Sequence, residues 1–230
     1  MVRAATGDER RVRLSKERVL SAAVALADRD GVESLTMRKL ADELGAGAMS
    51  LYHHVPNKER LLDGMVDAVF EEVELPSTDV DWKTAMRRRA LSTRAVLARH
   101  PWSVGLLESR LHPGPASYRL HNAVLGALRE GGFSVEMAVH AYSVQDAYIY
   151  GFALQEKSLP FEGAEESAEV AETMMTEMLR EVPADEYPYL VEVVGGFVAT
   201  SGYDFAEEFL FGLDLILDGL DRLRDAPGTA

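Results

Sequence analysis

The chain has 230 residues, and its 38 acidic against 24 basic side chains give a formal net charge of −14 at pH 7. The absence of cysteine excludes disulfide frameworks, thiolate nucleophiles and thiolate metal sites, and it suits a reducing cytoplasm. No signal peptide and no apolar run of about 18 residues is visible, so we expect a soluble intracellular protein.

The N-terminal segment is a basic arm followed by a predicted helix. Residues 1–14 include four arginines and no apolar run, and we expect this arm to be flexible: Arg3, Arg10, Arg11 and Arg13. Ser15 is a good helix cap. The helix after it is predicted to bury one apolar face, formed by Val19, Leu20, Ala23, Val24 and Ala27.

Residues 35–75 predict two short helices joined by a glycine-containing turn, followed by a long helix. Thr36 caps the first helix, and Gly45 stands where a left-handed residue ends it. In the second helix Leu51 and Val55 have the i, i+4 spacing of a buried face. Pro56 ends that helix, and Asn57 caps the third, which carries one apolar stripe to residue 73: Leu61, Leu62, Met65, Val66, Val69, Phe70 and Val73.

The order of helix, turn, helix and long third helix is that of a DNA-binding unit, and its residues resemble a known family. Residues 51–62 read LYHHVPNKERLL, which is similar to the motif LYxHVxNKxxLL of the tetracycline-repressor (TetR) family of bacterial transcription regulators. The resemblance extends through LTMRKLADELG, GFSVEMAVHAYS and FLFGLDLILDGL, and the latter half resembles the tetracycline-repressor subclass. It implies an all-α fold, with a helix-turn-helix domain at 15–75 and an effector-binding and dimerisation domain at 81–225.

The resemblance implies which head residues contact DNA. Arg38 is expected to read a guanine in the major groove, although a surface ion pair with Asp42 is the alternative. The start of the recognition helix, at residues 48–50, is expected to meet base edges, and Tyr52, His54 and Lys58 are expected to hold phosphates. The full set is Arg38, Ala48, Met49, Ser50, Tyr52, His53, His54 and Lys58. Ala48 replaces a glutamine and His53 a tryptophan of the archetype, so we expect a different operator sequence.

The charge distribution is compatible with a DNA partner despite the negative total. Residues 1–60 carry eleven Lys or Arg against nine Asp or Glu, whereas the rest of the chain carries 13 against 29. A weakly basic head can therefore face phosphates while an acidic body keeps the chain soluble. The basic arm either reaches a minor groove or stays flexible. His53 and His54 are not expected to bind a metal, because adjacent helical side chains point about 100° apart.

The remaining chain is predicted to be helical throughout. Expected helices lie near 81–99, 102–109, 115–130, 134–159, 165–182, 185–198 and 205–224, and the loop at 160–163 is the expected mobile segment. The last helix is apolar on more than one face, so it is either the centre of a monomeric core or packs against a second copy. The resemblance favours a homodimer joined by a four-helix bundle, with Gly212 and Gly219 permitting close approach. Its operator should be a near-palindrome with half-sites about 34–36 Å apart.

Effector-site residues follow from the resemblance and from stripes on the predicted helices. They are Glu74, Arg89, Thr93, His112, His121, Val124, Leu125, Val139, Tyr142, Asp146 and Ile149. Core packing is the alternative for the aliphatic members, and a structural ion pair is the alternative for Arg89 with Asp146. Arg89, Val124 and Gln155 replace an asparagine, a glutamine and a glutamate of the archetype. We therefore expect an organic effector that is larger or more apolar than Mg-tetracycline, and no bound cofactor.

Two other function classes remain open at this point. An enzyme or ligand carrier would use Asp146, His121 and His112 as acid and base groups in an apolar cavity. A helical scaffold would use the head to dock a protein. Against catalysis, the chain has no nucleophile elbow, HExxH pair or phosphate loop, and GAGAMS follows a helix where a dinucleotide-binding loop follows a strand.

Overall fold

A computed structural model describes residues 14–107, 114–158, 182–198 and 204–224, with single positions 173, 176, 177, 179 and 180. These residues form helices and contain no strand, as predicted for an all-α chain. None of their helices is long and apolar enough to cross a membrane. The helices are α1 Lys16–Asp30, α2 Met37–Glu43, α3 Ala48–Tyr52, α4 Lys58–Glu71, α5 Trp82–Arg99, α6 Val104–Leu107, α7 Pro115–Glu130, α8 Val135–Lys157, α9 Pro188–Val193 and α10 Phe205–Arg224.

The chain divides into two compact units. The first contains the described residues up to Val73 together with those of 99–121, and the second contains those of 74–98 and 122–224. These units differ from the predicted sequence domains because residues 99–121 join the first unit through polar contacts. His100 Nδ1 lies 2.8 Å and Trp102 Nε1 2.6 Å from Asp28 Oδ1, and the Ser117 amide donates to Asp67 at 3.0 Å.

Three side-chain caps set the starts of α1, α2 and α4 in the first unit. Ser15 Oγ accepts from the Arg18 amide at 3.2 Å, and Thr36 Oγ1 accepts from the amide three residues later at 3.1 Å. Asn57 Oδ1 accepts from the Arg60 amide at 2.8 Å. Each cap satisfies a helical N–H that has no partner within its own helix. All three capping residues predicted from the sequence are confirmed.

Helices α1 and α4 pack closely against each other in the core of the first unit. A Cβ atom placed on Gly64 of α4 would lie 2.6 Å from Leu20 Cδ2 of α1, so glycine permits this approach. Leu20 and Val24 are half-buried, not buried as predicted, because they lie on the flank of α1 beside its buried stripe. Helix α4 ends at Glu71 with Glu72 as its C-cap, four residues before the predicted end.

In the second unit α8 packs against α10 through aromatic side chains. Tyr148 stacks on Phe209 with ring centroids 5.4 Å apart, and its hydroxyl donates to the Phe209 carbonyl at 3.0 Å. A Cβ atom on Gly212 would lie 2.7 Å from Tyr148 Cζ, whereas one on Gly219 would meet no described atom within 4 Å. Gly212 therefore permits a close contact within the chain, whereas Gly219 leaves open space.

The starts of helices α6 and α9 differ from the predicted ones for local geometric reasons. Helix α6 starts at Val104, not Trp102, because residues 101–103 form a turn in which the Ser103 hydroxyl donates to the His100 carbonyl. Helix α9 starts at Pro188, a residue that favours the first helical position, and residues 194–198 widen into a π-turn. The predicted loop at 160–163, most of the predicted helix 165–182, the basic arm and His112 lie outside the described residues.

Candidate nucleic-acid interface and effector site

Helix α3 separates anchoring residues from residues available to a partner. Leu51 is fully buried, and Val55 is 2% exposed in the turn after α3, which ends at Tyr52, before the predicted end at Pro56; these two side chains hold the helix on the core of its unit. The predicted recognition residues around them are exposed: Ala48, Met49, Ser50, Tyr52 and His53. Met49 is 77% exposed, so its apolar side chain is available to a partner. His54 is half-buried. The helix thus presents a surface that contains both polar and apolar side chains.

Two cations flank this surface. Arg38 on α2 is exposed, and within residues 14–107 no ion pair joins it to Asp42, the partner considered in the alternative interpretation. Lys58 is exposed at the first position of α4, immediately after the Asn57 cap. The helix dipole disfavours a cation at this N-terminus. A bound anion would be stabilised both by the Lys58 ammonium group and by the N-terminus of α4. Both positions suit contact with an anionic partner.

The other cations of α1 and α2 include two that are engaged in surface ion pairs. Arg29 Nη2 lies 3.1 Å from Glu43 Oε2, and Lys39 Nζ lies 3.6 Å from Asp30 Oδ2. The hydrogen bonds from Arg29 lower the pKa of Glu43 and of Asp30. Such exposed pairs contribute little to the stability of a fold. Arg29 and Lys39 are therefore balanced by carboxylates, whereas Arg38 and Lys58 form no ion pair with a described residue.

The second unit contains a buried ion pair among the predicted effector residues. Arg89 on α5 is 1% exposed, and its Nη2 is paired with Asp146 Oδ1 on α8. Burial alone would lower the pKa of Arg89, but the Asp146 carboxylate together with the Tyr150 and Tyr142 side chains raises this pKa above its ordinary value. Thr93 is 1% exposed and donates from Oγ1 to the Arg89 carbonyl at 2.8 Å. These three predicted residues are therefore brought together.

The other predicted effector residues of this unit differ in exposure. Val124 and Ile149 are fully buried, whereas Leu125 is 38% and Val139 52% exposed. Tyr142 is half-buried one turn before Asp146, and burial together with that carboxylate raises its pKa well above the ordinary value. Glu74 is exposed, and its amide donates to Ser92 Oγ at 2.8 Å. Val124, Tyr142 and Ile149 are thus buried or half-buried, as expected of effector-site residues. Leu125, Val139 and Glu74 are exposed.

His121 belongs to the first unit. Its Nδ1 donates to the Ser117 carbonyl one turn earlier on α7, and its ring centroid lies 6.4 Å from that of Phe70. Its side chain is half-buried. Among the described residues, no three His, Asp or Glu side chains form a cluster that could hold a metal ion.

Sequence reasoning missed one polar residue beside the ion pair. Gln145 of α8 is fully buried and its Nε2 donates to the Ala141 carbonyl at 2.9 Å, but its Oε1 accepts no hydrogen bond from any described residue. Its spacing was the available signal, since it lies four residues from both Ala141 and Ile149 on an otherwise apolar face. A polar side chain at such a position requires a partner or a function.

The comparisons with known proteins agree with this arrangement. Residues 19–65 match the family "Bacterial regulatory proteins, tetR family", and residues 75–224 match "Tetracyclin repressor-like, C-terminal domain". The chain is 35% identical to the transcriptional repressor DrrR1 of Streptomyces coeruleorubidus over 91% of this chain and 78% of that protein. It is 30% identical to the class A tetracycline repressor of Escherichia coli transposon 1721, over 92% and 93% of the two chains.

Solved structures show the same fold. ActR of Streptomyces coelicolor in complex with actinorhodin superposes with a TM-score of 0.77 and 28% identity, covering 94% of this chain and all of that one. TetR from Acinetobacter baumannii AYE superposes with a TM-score of 0.67 and 26% identity, covering 92% and 99%. The helix-turn-helix head, the helical second unit and these matches lead to one conclusion: the chain belongs to the TetR family of ligand-responsive transcriptional repressors.

Proposed function

We propose that this repressor binds a near-palindromic operator as a homodimer and is released when a small organic effector binds its second unit. It acts by binding and not by catalysis, and its site of action is the cytoplasm, where bacterial DNA lies. The observation that carries the proposal is the exposure pattern of α3. Leu51 and Val55 are buried while Met49, Ser50 and Tyr52 face outward.

The division of labour on DNA follows from side-chain chemistry. Arg38 has the fork geometry to donate two hydrogen bonds to guanine, and Ala48 and Met49 offer apolar groups to thymine methyls. Ser50 lies beside them at the start of the recognition helix, and Tyr52, His54 and Lys58 contact phosphates. Phosphate contacts hold the head in register, and base contacts select the sequence.

Exposed apolar stripes on α8 and α10 support the homodimer. Phe211 and Leu215 are 65% and 56% exposed, and Gly219 continues their i, i+4 spacing along α10. On α8, Val144 and Leu154 are 42% and 52% exposed, and residues 147 and 151 between them are small. Contiguous apolar surface of this kind marks a protein interface. A second copy of the chain would cover both helices in an isologous four-helix contact.

Release by an effector requires two states of the dimer that differ in operator affinity. The effector shifts their equilibrium only by its differential affinity for them, which typically corresponds to about 1–3 kcal/mol of coupling. The predicted effector residues Arg89, Thr93, Val124, Tyr142, Asp146 and Ile149 are buried or half-buried in the second unit. Leu125, Val139, Glu74, His121 and His112 remain predicted contacts.

Binding to DNA from the protein's own promoter region tests the proposal. We expect nanomolar affinity that falls steeply as salt is raised, because phosphate contacts release counterions. Arg38→Ala should weaken specific binding by about 1–3 kcal/mol with little effect on unrelated DNA. Arg88→Ala, at an exposed arginine of the second unit, is the matched control. Equal affinity for promoter and unrelated DNA would contradict the proposed function.

A further inference from the structure

Arg89 has hydrogen-bonding capacity that the described part of the fold does not use. Its side chain is 1% exposed, and its Nη2 is paired with the Asp146 carboxylate. Nε and Nη1 have no hydrogen-bond partner among the described residues. Buried N–H groups in proteins are almost always paired, so two unpaired nitrogens on one guanidinium call for a specific reason. Arg89 also has no role in the DNA contacts proposed above.

The charge of the pair restricts what these donors can bind. Asp146 already balances the guanidinium, so an anionic oxygen at Nε or Nη1 would add a buried charge that nothing in the pair compensates. A cationic group would be repelled by Arg89, and its attraction to Asp146 would compete with the existing ion pair. An uncharged oxygen acceptor meets the hydrogen-bonding need without either cost.

The carboxylate side of the pair is less deeply buried than the guanidinium. Asp146 is 8% exposed, and Tyr142, one turn earlier on α8, is half-buried, whereas Arg89 is 1% exposed. The buried side chains Val124 and Ile149 supply apolar area within the same unit. Because a guanidinium is planar, the Nε and Nη1 N–H groups of Arg89 lie in one plane. Acceptors that bind them must lie in that plane too.

We infer that the effector is an uncharged compound with at least two carbonyl or hydroxyl oxygens, which accept hydrogen bonds from Nε and Nη1 of Arg89. This inference rests on the proposed function, because it names the chemical class of the effector for the same unit. Asp146 acts as a positioning residue: it holds the guanidinium and sets the preference for an uncharged ligand.

Three probes on one two-ring skeleton test the inference: 1,4-naphthoquinone is uncharged with two carbonyl oxygens, 1-naphthoate is an anion and 1-naphthylmethylammonium is a cation. The chain has no cysteine, so the quinone cannot alkylate a thiol. With the full chain and no DNA, we expect the quinone to bind at least about tenfold tighter than either charged probe. It should also shift the Arg89 Nε–H resonance in a proton–nitrogen spectrum, assigned by its loss in Arg89→Lys.

Variants separate a ligand contact from a structural role. Arg89→Lys should weaken quinone binding about tenfold, and Arg88→Lys, at the exposed neighbour, should leave it unchanged. Asp146→Asn should bind 1-naphthoate more tightly than the quinone, because the charge of Arg89 is then unbalanced. Should Arg89→Lys fail to fold by circular dichroism, the order of probe affinities in the wild type and the preference of Asp146→Asn decide.

The inference is overturned if 1-naphthoate binds the wild type as tightly as the quinone, if no probe binds, or if folded Arg89→Lys keeps the wild-type quinone affinity. Promoter DNA binding is measured on the same preparation. If the protein binds promoter DNA but the probe test fails, only this inference is contradicted. If it does not bind promoter DNA, the proposed function itself is contradicted.

Discussion

The guanidinium of Arg89 on α5 pairs with the carboxylate of Asp146 on α8, although 57 positions separate them in the chain. Both side chains are buried, at 1% and 8% exposure. Neither charge would be stable there alone, because desolvation of a single ion costs several kcal/mol. The pair therefore ties two helices of the second unit together and keeps a cation inside it.

Removing the carboxylate should destabilise the second unit. In Asp146→Leu the guanidinium stays buried without a counter-ion, and we expect a loss of about 3–5 kcal/mol in the free energy of unfolding, measured by urea denaturation. Asp221→Leu, which removes a partly exposed i, i+3 partner of Arg224 on α10, should cost less than about 1 kcal/mol. Similar losses in the two variants would contradict the importance of the buried pair.

Lys58 should contribute to affinity without contributing to sequence selection. We expect Lys58→Ala to weaken binding to promoter DNA and binding to unrelated DNA by similar factors. It should also reduce the slope of log affinity against log salt concentration by about 0.9 per lost phosphate contact. A dimer carries the substitution twice, so the total change should approach two. Lys157→Ala, at the exposed end of α8, is the control and should leave the slope unchanged. Fluorescence anisotropy over a salt series gives the slopes.

The apolar stripe of α10 should hold the two copies together. Phe211→Lys places an ammonium group in the proposed interface, and sedimentation velocity should then show monomers at concentrations where the wild type is dimeric. Operator affinity should fall as well, because each head would bind its half-site independently. Tyr118→Lys changes a side chain of similar exposure, 61% against 65%, in the first unit and should remain dimeric. A dimeric Phe211→Lys protein would place the interface elsewhere.

Gly212 should tolerate no side chain while Tyr148 is present. The Cβ of Gly212→Ala would overlap the Tyr148 ring, which is stacked on Phe209 and hydrogen-bonded to the carbonyls of Glu208 and Phe209. We expect a loss of about 1–3 kcal/mol, the usual cost of overpacking, in thermal or urea unfolding. In a Tyr148→Leu background the same alanine should cost less, since the ring is gone. Additive effects of the two substitutions would refute the steric explanation.

Glu72 should make the first unit sensitive to acid. Arg99 and, to a lesser degree, His100 lower the pKa of Glu72 below its ordinary value of 4.5. A carboxyl group with a lowered pKa in the folded state stabilises the fold above its unfolded pKa, and this stabilisation is lost as the pH falls through the folded pKa. Glu72→Gln should therefore flatten the decrease of melting temperature below about pH 4.5.

The role of Arg99 provides the internal check of that experiment. In an Arg99→Ala background, Glu72 loses its 2.6 Å partner, so the effect of Glu72→Gln on the melting temperature during acidification should shrink. An unchanged effect would assign the acid sensitivity to His100, whose Nε2 lies 3.3 Å from the same carboxylate.

Local signals determined most of the helical layout. The caps Ser15, Thr36 and Asn57 act over three residues, so their hydrogen bonds could be expected before any tertiary contact was known. Helices α7 and α10 have the bounds predicted for them, because proline begins one and a continuous apolar pattern runs through the other. The burial of Leu51 on α3, and of Val55 just after it, likewise follows from their i, i+4 spacing.

Long-range contacts decided the rest, because their energy depends on which distant residue faces a given side chain. The sequence by itself determined the all-α class, the helix-turn-helix head and the candidate DNA-contacting residues. Only the tertiary structure decided that Arg89 is buried against Asp146 with two nitrogens unpaired among the described residues, and that Gly212 makes room for Tyr148. Hydrophobic periodicity records the face on which a residue lies, whereas hydrogen bonding and steric fit depend on what the opposite helix places there.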